Sequence, residues 1–113
     1  MHEYAIVRAL LDRVEQEAQA RNATRVHRVQ IRLGEAAGVD GELLATAFRT
    51  YREAEGGGDT VLDVVPVMAR WACTGCGREV VPGEILQCGA CGLPARLIQG
   101  DEILLERIEM EVA

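Results

Sequence analysis

Two cysteine pairs constrain this sequence more than any other feature. Each pair has the spacing C-x2-C, and residues 77–87 separate the two pairs, whose members are Cys73, Cys76, Cys88 and Cys91. A C-x2-C turn holds two thiolates on one tight loop, and two such loops together form a tetrahedral four-sulfur site that suits Zn²⁺. Four protein ligands leave no open coordination position, so the pattern predicts a structural zinc. A four-thiolate iron site and a redox-active dithiol are the alternatives.

The cysteines belong to a segment whose composition differs from that of the rest of the chain. Residues 70–96 contain all four cysteines and two of the three prolines, which indicates a separate zinc-ribbon module. Its charges nearly balance and its only aromatic residue is Trp71, and both features argue against a ribbon that binds nucleic acid. The whole chain carries a formal net charge of -6, which also disfavours DNA, RNA and anionic membranes as partners.

Hydrophobic periodicity before this module predicts two helices and two strands. Apolar residues recur at helical spacing over Tyr4–Ala20 and alternate with polar residues over Thr24–Leu33. Asp40 is a favourable N-cap for a second helix, which we expect to stop at the glycines of residues 56–58. The Val-rich segment Thr60–Ala69 predicts a second strand.

The order strand, helix, strand predicts a parallel βαβ unit. Because Pro66 cannot donate a ladder hydrogen bond, we expect the second strand to lie at a sheet edge or to contain a bulge. Alternation in the tail, Asp101–Val112, predicts a last strand that returns to the first sheet. The predicted fold is therefore α+β. Residues 1–69 and 97–113 form a small mixed β-sheet with two helices, and residues 70–96 are inserted as the zinc-ribbon module.

The N-terminus offers a second candidate metal site. Met1 precedes a bulky residue and is expected to be retained, which leaves a free α-amine one residue away from the His2 imidazole. The amine, the deprotonated His2 amide and the imidazole can form fused five- and six-membered chelate rings. The Glu3 backbone amide, the Glu3 carboxylate or a group from a partner protein can supply a fourth ligand. Planar nitrogen-rich sites of this kind suit Ni²⁺ and Cu²⁺. The alternative is that His2 is an incidental solvated residue.

Other chemistry-bearing patterns are weaker. His27 falls on the strand face of Val29 and Ile31, which predicts a partly buried, hydrogen-bonded side chain rather than a metal ligand. No Ser-His-Asp, paired-carboxylate or phosphate-loop pattern is present in the sequence, so an enzyme is not expected. The sequence also lacks a secretory signal and an apolar run of transmembrane length, which predicts a cytoplasmic protein.

Four motifs follow one another along the chain, and they are Met1-His2-Glu3-Tyr4, the segment Val29–Val39, the two cysteine pairs, and Gly100-Asp101-Glu102-Ile103-Leu104. In this order they resemble the HypA/HybF family of nickel-insertion metallochaperones, and the resemblance covers the chain from end to end. The fold implied by the resemblance is a small mixed sheet with two helices and a zinc ribbon inserted before the last strand.

The resemblance implies a chaperone, not an enzyme, that binds Ni²⁺ at Met1, His2 and Glu3 and carries zinc at the four cysteines. It also implies delivery of nickel to the precursor of a [NiFe]-hydrogenase large subunit, together with a nickel-handling GTPase. In some organisms such proteins also serve urease maturation. The competing hypothesis, from another class, is a zinc-ribbon adaptor that binds protein or nucleic acid and makes no use of its N-terminus.

Overall fold

The computed structural model describes residues 2–56, 58–80 and 87–113. Two helices, one short 3₁₀ turn and six strands make up these ranges: α1 His2–Ala20, β1 Ala23–Gly34, η1 Glu35–Ala37, α2 Gly41–Ala54, β2 Val61–Val67, β3 Arg70–Cys73, β4 Glu79–Val80, β5 Ala95–Gln99 and β6 Ile103–Val112. Neither α1 nor α2 has the length and apolar character needed to cross a bilayer.

The strands form two separate three-stranded sheets. In the first sheet the order is β2-β1-β6, with β2 parallel and β6 antiparallel to the central strand. The second sheet has the order β4-β3-β5 and is antiparallel. The predicted α+β fold with a small mixed sheet is confirmed, and Pro66 lies on an edge strand, as its missing N–H predicts.

Both helices pack on one face of the first sheet and enclose the hydrophobic core. Phe48 of α2 is fully buried there, together with Val14 of α1 and with Val29 and Ile31 of β1. The Asp40 side chain caps α2 by accepting the backbone N–H groups of Glu42 and Leu43 at 2.9 and 3.2 Å, as the sequence predicts. The aliphatic core expected from the helical and strand periodicities is therefore the one that forms.

One expectation for β1 is wrong. The pairing of β1 with β6 shifts between Val26 and Arg28, where two residues of β1 advance against one residue of β6. This bulge turns His27 away from the core, so its side chain is 43% exposed and bonds to Glu111 at 2.8 Å. His27 is hydrogen-bonded, as expected, but it does not share the buried face of Val29.

The two sheets meet where three stretches of backbone cross. A Cβ at Gly34 would lie 2.8 Å from the backbone nitrogen of Asp101 and closer still to the Gly100 carbonyl group. A Cβ at Gly100 would lie 2.7 Å from Ala69 Cα. Hydrogen bonds from Gly34 N–H to the Glu102 carbonyl, at 2.9 Å, and from Ala36 N–H to the Gly100 carbonyl, at 2.7 Å, hold this crossing together. We call it the glycine junction (residues 34, 69 and 100).

The glycine junction connects two units that lie end to end. The principal extents of the molecule are 58 × 26 × 17 Å and its radius of gyration is 18.0 Å, against about 13 Å for a compact chain of this length. Because Leu97 pairs with Trp71, β5 carries the second sheet past residue 96, where the sequence places the end of the inserted module. The division of the chain into domains remains a prediction.

Candidate metal centre

The four cysteine sulfurs converge at one end of the second sheet. All four Sγ atoms lie within 4.8 Å of one another. Individual separations are 3.1 Å for Cys73 and Cys91, 3.4 Å for Cys91 and Cys76, and 3.9 Å for Cys76 and Cys88. A tetrahedral site with Zn–S bonds of about 2.3 Å has sulfur–sulfur edges of about 3.8 Å, so this cluster has the dimensions of a four-thiolate zinc site.

Local backbone geometry explains why these sulfurs point the same way. After each pair the chain turns through a glycine with positive φ, 77° at Gly77 and 70° at Gly92, as the sequence predicts. The N–H of Gly77 returns to the Cys73 carbonyl at 3.1 Å, and the N–H of Gly92 returns to the Cys88 carbonyl at 2.9 Å. Each C-x2-C loop is therefore a closed turn that presents its two sulfurs on one side.

Hydrogen bonds from the backbone lower the pKa of two thiols, whereas hydrogen bonds among the sulfurs raise the pKa of another. Hydrogen bonds from the backbone of Cys91 and Ala90, with a further one from the Arg78 side chain, lower the pKa of Cys88 to about 6. The pKa of Cys73 is also lowered, chiefly by the backbone N–H of Cys76. Hydrogen bonds with the other three sulfurs, Cys73 first, raise the pKa of Cys91 to about 12. A dication among the sulfurs would stabilise all four as thiolates.

The two cysteine loops are also held to each other. Thr74 in the first loop donates its backbone N–H and its hydroxyl to the Pro94 carbonyl at 3.1 and 2.8 Å. Leu93 packs so closely on Gly75 that a Cβ at that glycine would overlap it. Cys73 and Cys88 are buried, whereas Cys76 and Cys91 are exposed. A metal here has four protein ligands in a preformed frame and no open position, which is the arrangement of a structural site.

Sequence reasoning missed Arg78, which it treats only as part of the charge of the module. Its guanidinium lies close to Gly89 of the second loop and contributes to the lowered pKa of Cys88, although Arg78 itself follows the first cysteine loop. The available signal was its place directly after the turn glycine Gly77, where a long donor can reach across to the second loop. Spacing rules for metal ligands do not consider residues that bond to the ligands.

Of the predicted nickel ligands Met1, His2 and Glu3, the structure describes only the His2 backbone and Glu3. Met1 and the side chain of His2 lie outside the described residues. The backbone of α1 begins at His2, and Glu3 lies half-buried in its first turn. Next to it, Tyr4 contacts Tyr51 of α2 edge to face, with ring centroids 5.0 Å apart. The first four N–H groups of a helix have no intrahelical acceptor, so the amides at the start of α1 are not engaged by the helix.

Comparison with known proteins gives one consistent result. The family described as "Hydrogenase/urease nickel incorporation, metallochaperone, hypA" matches residues 1–110. The chain is 40% identical over 121 aligned positions to the hydrogenase maturation factor HypA of Shewanella oneidensis, covering 100% of this chain and 98% of that protein. It is 33% identical over 114 positions to HypA of Aquifex aeolicus, covering 99% of each.

Solved structures agree with the sequence relatives. The solution structure of the Ni metallochaperone HypA from Helicobacter pylori superposes with a TM-score of 0.70 at 29% identity, covering 98% of each chain. A second solution structure of a HypA protein gives a TM-score of 0.76 at 30% identity, covering 100% of this chain and 98% of the other. The similarity thus extends over both sheets.

Proposed function

This chain belongs to the HypA family of nickel metallochaperones in hydrogenase maturation, and on that premise we propose that it binds one Ni²⁺ through Met1, His2 and Glu3. It then passes the nickel to the precursor of a [NiFe]-hydrogenase large subunit, and in some settings to urease. The observation that carries the proposal is the start of α1 at His2, within one residue of the N-terminal amine.

A helix that begins at His2 leaves backbone amide nitrogens available to bind a metal. The amide nitrogens of His2 and Glu3 belong to the first turn, whose N–H groups have no intrahelical partner. A metal can therefore displace their protons without breaking a helical hydrogen bond. With the terminal amine and the imidazole, these amides make up a planar set of four nitrogens, which suits Ni²⁺.

The helix dipole sets a further requirement on the ligands. A helix N-terminus carries about half a positive elementary charge, which repels a bare dication. Deprotonated amide nitrogens and the Glu3 carboxylate supply the negative charge that offsets this repulsion. Anionic ligands are thus necessary at this position, and a neutral set of donors would bind Ni²⁺ weakly.

Two contacts fix the start of α1 against α2. Tyr4 packs on Tyr51, and Arg8 forms an ion pair with Glu55 at 2.6 Å one turn further along. The first turns of α1 are thereby held against α2, and ligands contributed from beside them could be exchanged one at a time with a partner. We propose a nickel-handling GTPase and the hydrogenase precursor as those partners, in the cytoplasm.

The four-cysteine cluster is proposed to hold a resident Zn²⁺ at Cys73, Cys76, Cys88 and Cys91. Bound zinc supplies structural cross-linking and no catalysis, because the four thiolates fill its coordination sphere. The two strands β3 and β5 and the two cysteine loops bury few apolar side chains, so they need such a cross-link to stay folded.

Calorimetric nickel titration tests the terminal site directly. Proteins to compare are the native form, one extended by a residue ahead of Met1, one acetylated at the N-terminus, His2→Ala and Glu3→Gln. Extension and acetylation turn the amine into an amide. Each should lower the affinity for nickel at least tenfold, which corresponds to about 1.4 kcal/mol of binding free energy. His2→Ala should do the same. Glu3→Gln separates the two roles of Glu3: a mild loss indicates its amide, and a severe loss indicates its carboxylate.

Zinc content and thermal stability should hardly change in these proteins, since the altered groups lie at a chain end. Undiminished nickel affinity in the extended protein would contradict the terminal-amine chelate and move the search to His27. The competing adaptor hypothesis predicts that the native protein takes up zinc only, with no further equivalent of nickel.

A further inference from the structure

A groove runs along the outer edge of the first sheet, between α2 and β2. One cavity of about 770 Å³ lies at the carboxyl end of β2, and a second cavity of about 330 Å³ lies at its start. Ala45 of α2 and Leu62 of β2 line both cavities, so the two adjoin along the strand. Within the described ranges β2 pairs with β1 alone, which leaves its outer edge open beside this groove.

The edge of β2 is regular enough to accept another strand. Its pairing with β1 continues without a shift over all seven residues of Val61–Val67. At the opposite edge of the sheet, the pairing of β6 with β1 contains three register shifts, and such irregularities disrupt an edge. Because Pro66 lacks an N–H, the part of β2 that can pair with a new strand is Val61–Val65, about 17 Å long.

The groove is apolar inside and acidic at its rim. Val39, Ala45 and Val64 lie half-buried against the core, and their remaining surface lines the larger cavity. Glu35 and Glu42 are exposed at the rim of the same cavity. In the described part of the chain no cation pairs with either carboxylate, and the hydrogen bond that Glu35 accepts comes from a backbone N–H at 3.4 Å.

The other two carboxylates of the larger cavity are already engaged. Asp40 caps α2, and Asp63 forms an ion pair with Arg28. No arginine is among the described residues that line this cavity, and the chain has no lysine. The smaller cavity adds two carboxylates and one guanidinium. The charge along the groove is therefore acidic, and its uncompensated part lies at Glu35 and Glu42.

We propose that this groove binds an extended segment of a partner protein, which adds as a strand to Val61–Val65 and carries arginine or lysine next to alternating apolar residues. Strand addition to a sheet edge takes its affinity from backbone hydrogen bonds and its specificity from pockets for alternate side chains. Apolar side chains of the segment enter the larger cavity, and its cations reach Glu35 and Glu42.

A second copy of this chain does not supply that chemistry through the same strand, because the only charged residue of β2 is Asp63. Two copies paired through β2 would also bring acidic rims together. The occupant is therefore a different protein with a basic, strand-forming segment. This proposal goes beyond the nickel and zinc sites and makes no use of either, so it can fail without affecting the function proposed above.

Fluorescence anisotropy of a labelled synthetic peptide tests the proposal. The probe has two arginines at each end and five alternating valine and threonine residues between them, which match Val61–Val65 in length. A second peptide with the same side chains is N-methylated at its five central residues, so it keeps the charge and loses the backbone donors. Both are titrated with the full-length protein at about 0.15 M salt, where exposed charges more than about 8 Å apart are largely screened.

Two variants of the groove are compared with one matched control. Glu42→Gln removes one carboxylate from the rim without a change of size. Ala45→Arg places a long cation where the two cavities adjoin. Glu15→Gln makes the same change of charge as Glu42→Gln, but it does so on α1, where Glu15 is exposed and lines neither cavity.

We expect the N-methylated peptide to bind at least about tenfold more weakly than the unmodified peptide, because several backbone hydrogen bonds are lost. Glu42→Gln should weaken binding of the unmodified peptide about two- to fivefold, as the loss of an exposed ion pair does. Ala45→Arg should weaken it more than Glu42→Gln, and Glu15→Gln should bind as the native protein does. In the native protein, amide chemical-shift changes on binding should concentrate at Val61–Val65.

Four outcomes would overturn the proposal. They are no measurable binding of the probe, equal binding of the two peptides, equal losses in Glu42→Gln and Glu15→Gln, and chemical-shift changes concentrated on β6. The second and third show attraction by charge alone, and the fourth places the added strand at the other edge. If Ala45→Arg does not fold, the two peptides and Glu42→Gln still decide. A protein that binds nickel but not the probe keeps its proposed function and loses only this docking site.

Discussion

The glycine junction allows a sharp test, because Gly34 is needed there for space and not for backbone conformation. Gly34 has φ -68° and ψ 136°, values that any residue adopts. Gly34→Ala therefore adds a methyl group without straining the dihedral angles. The added Cβ overlaps the Gly100 carbonyl and lies 2.8 Å from Asp101 N, and both obstacles are backbone atoms that cannot rotate away.

The expected loss of stability has two parts. Forcing a methyl group into a filled space costs about 1 to 3 kcal/mol. Displacing residue 100 also weakens the hydrogen bonds at Gly34 N–H and Ala36 N–H, which contribute about 1 kcal/mol each. The total is about 3 to 5 kcal/mol, a large fraction of the stability of a small protein. At roughly 4 °C per kcal/mol, the melting temperature should fall by about 12 to 20 °C.

Differential scanning calorimetry of the zinc-loaded protein measures this loss, and hydrogen exchange at the Ala36 amide locates it at the junction. Gly38→Ala is the control: Gly38 has φ 76°, and an added Cβ meets no atom within 4 Å. It should lose only the 1 to 2 kcal/mol or so that left-handed backbone costs a residue other than glycine. A Gly34→Ala protein that melts less than 2 °C below the native one, or above Gly38→Ala, would refute the close-approach argument, with roughly 4 °C per kcal/mol as the conversion.

Four further outcomes are expected. Cys76→Ala should lose zinc and disorder the second sheet while the helical circular dichroism persists, because a structural zinc contributes about 10 to 16 kcal/mol; zinc analysis beside far-UV spectra checks this. Phe48→Ala should cost about 3 to 5 kcal/mol in denaturant unfolding, since its ring is fully buried. On acidification nickel should leave before zinc in parallel metal titrations, because an amine of pKa about 7.7 to 8.0 and an imidazole of pKa about 6.5 regain protons first. The Arg70 side chain lowers the pKa of Glu79 in the folded protein. This pair therefore stabilises the fold when the pH is above the unfolded-state pKa of Glu79, and the stabilisation is lost as the pH falls through its folded-state pKa. In Arg70→Gln the pKa of Glu79, measured by NMR titration of its carboxyl group, should rise.

The alternation of apolar and polar residues predicted the core face of β1 correctly where its pairing with β6 is regular. It failed at His27, where the pairing contains a bulge. Val29 and Ile31 lie on the core face as their alternation requires. A bulge adds one residue to β1, and alternation counted from Val29 back to His27 then places the histidine on the wrong side. Nothing in the local sequence marks the bulge, because it arises from how β6, far along the chain, pairs with β1.

The clustering of the four cysteines was predictable because it depends on local sequence and not on distant pairing. Both cysteine loops are local structures, and their spacing with a following glycine specifies the turn without reference to the rest of the fold. The glycine junction could not be predicted in this way. Gly34 has ordinary dihedral angles, and the atoms that exclude a side chain there belong to residues 100 and 101. A single sequence shows that a glycine is present but not which distant backbone lies against it.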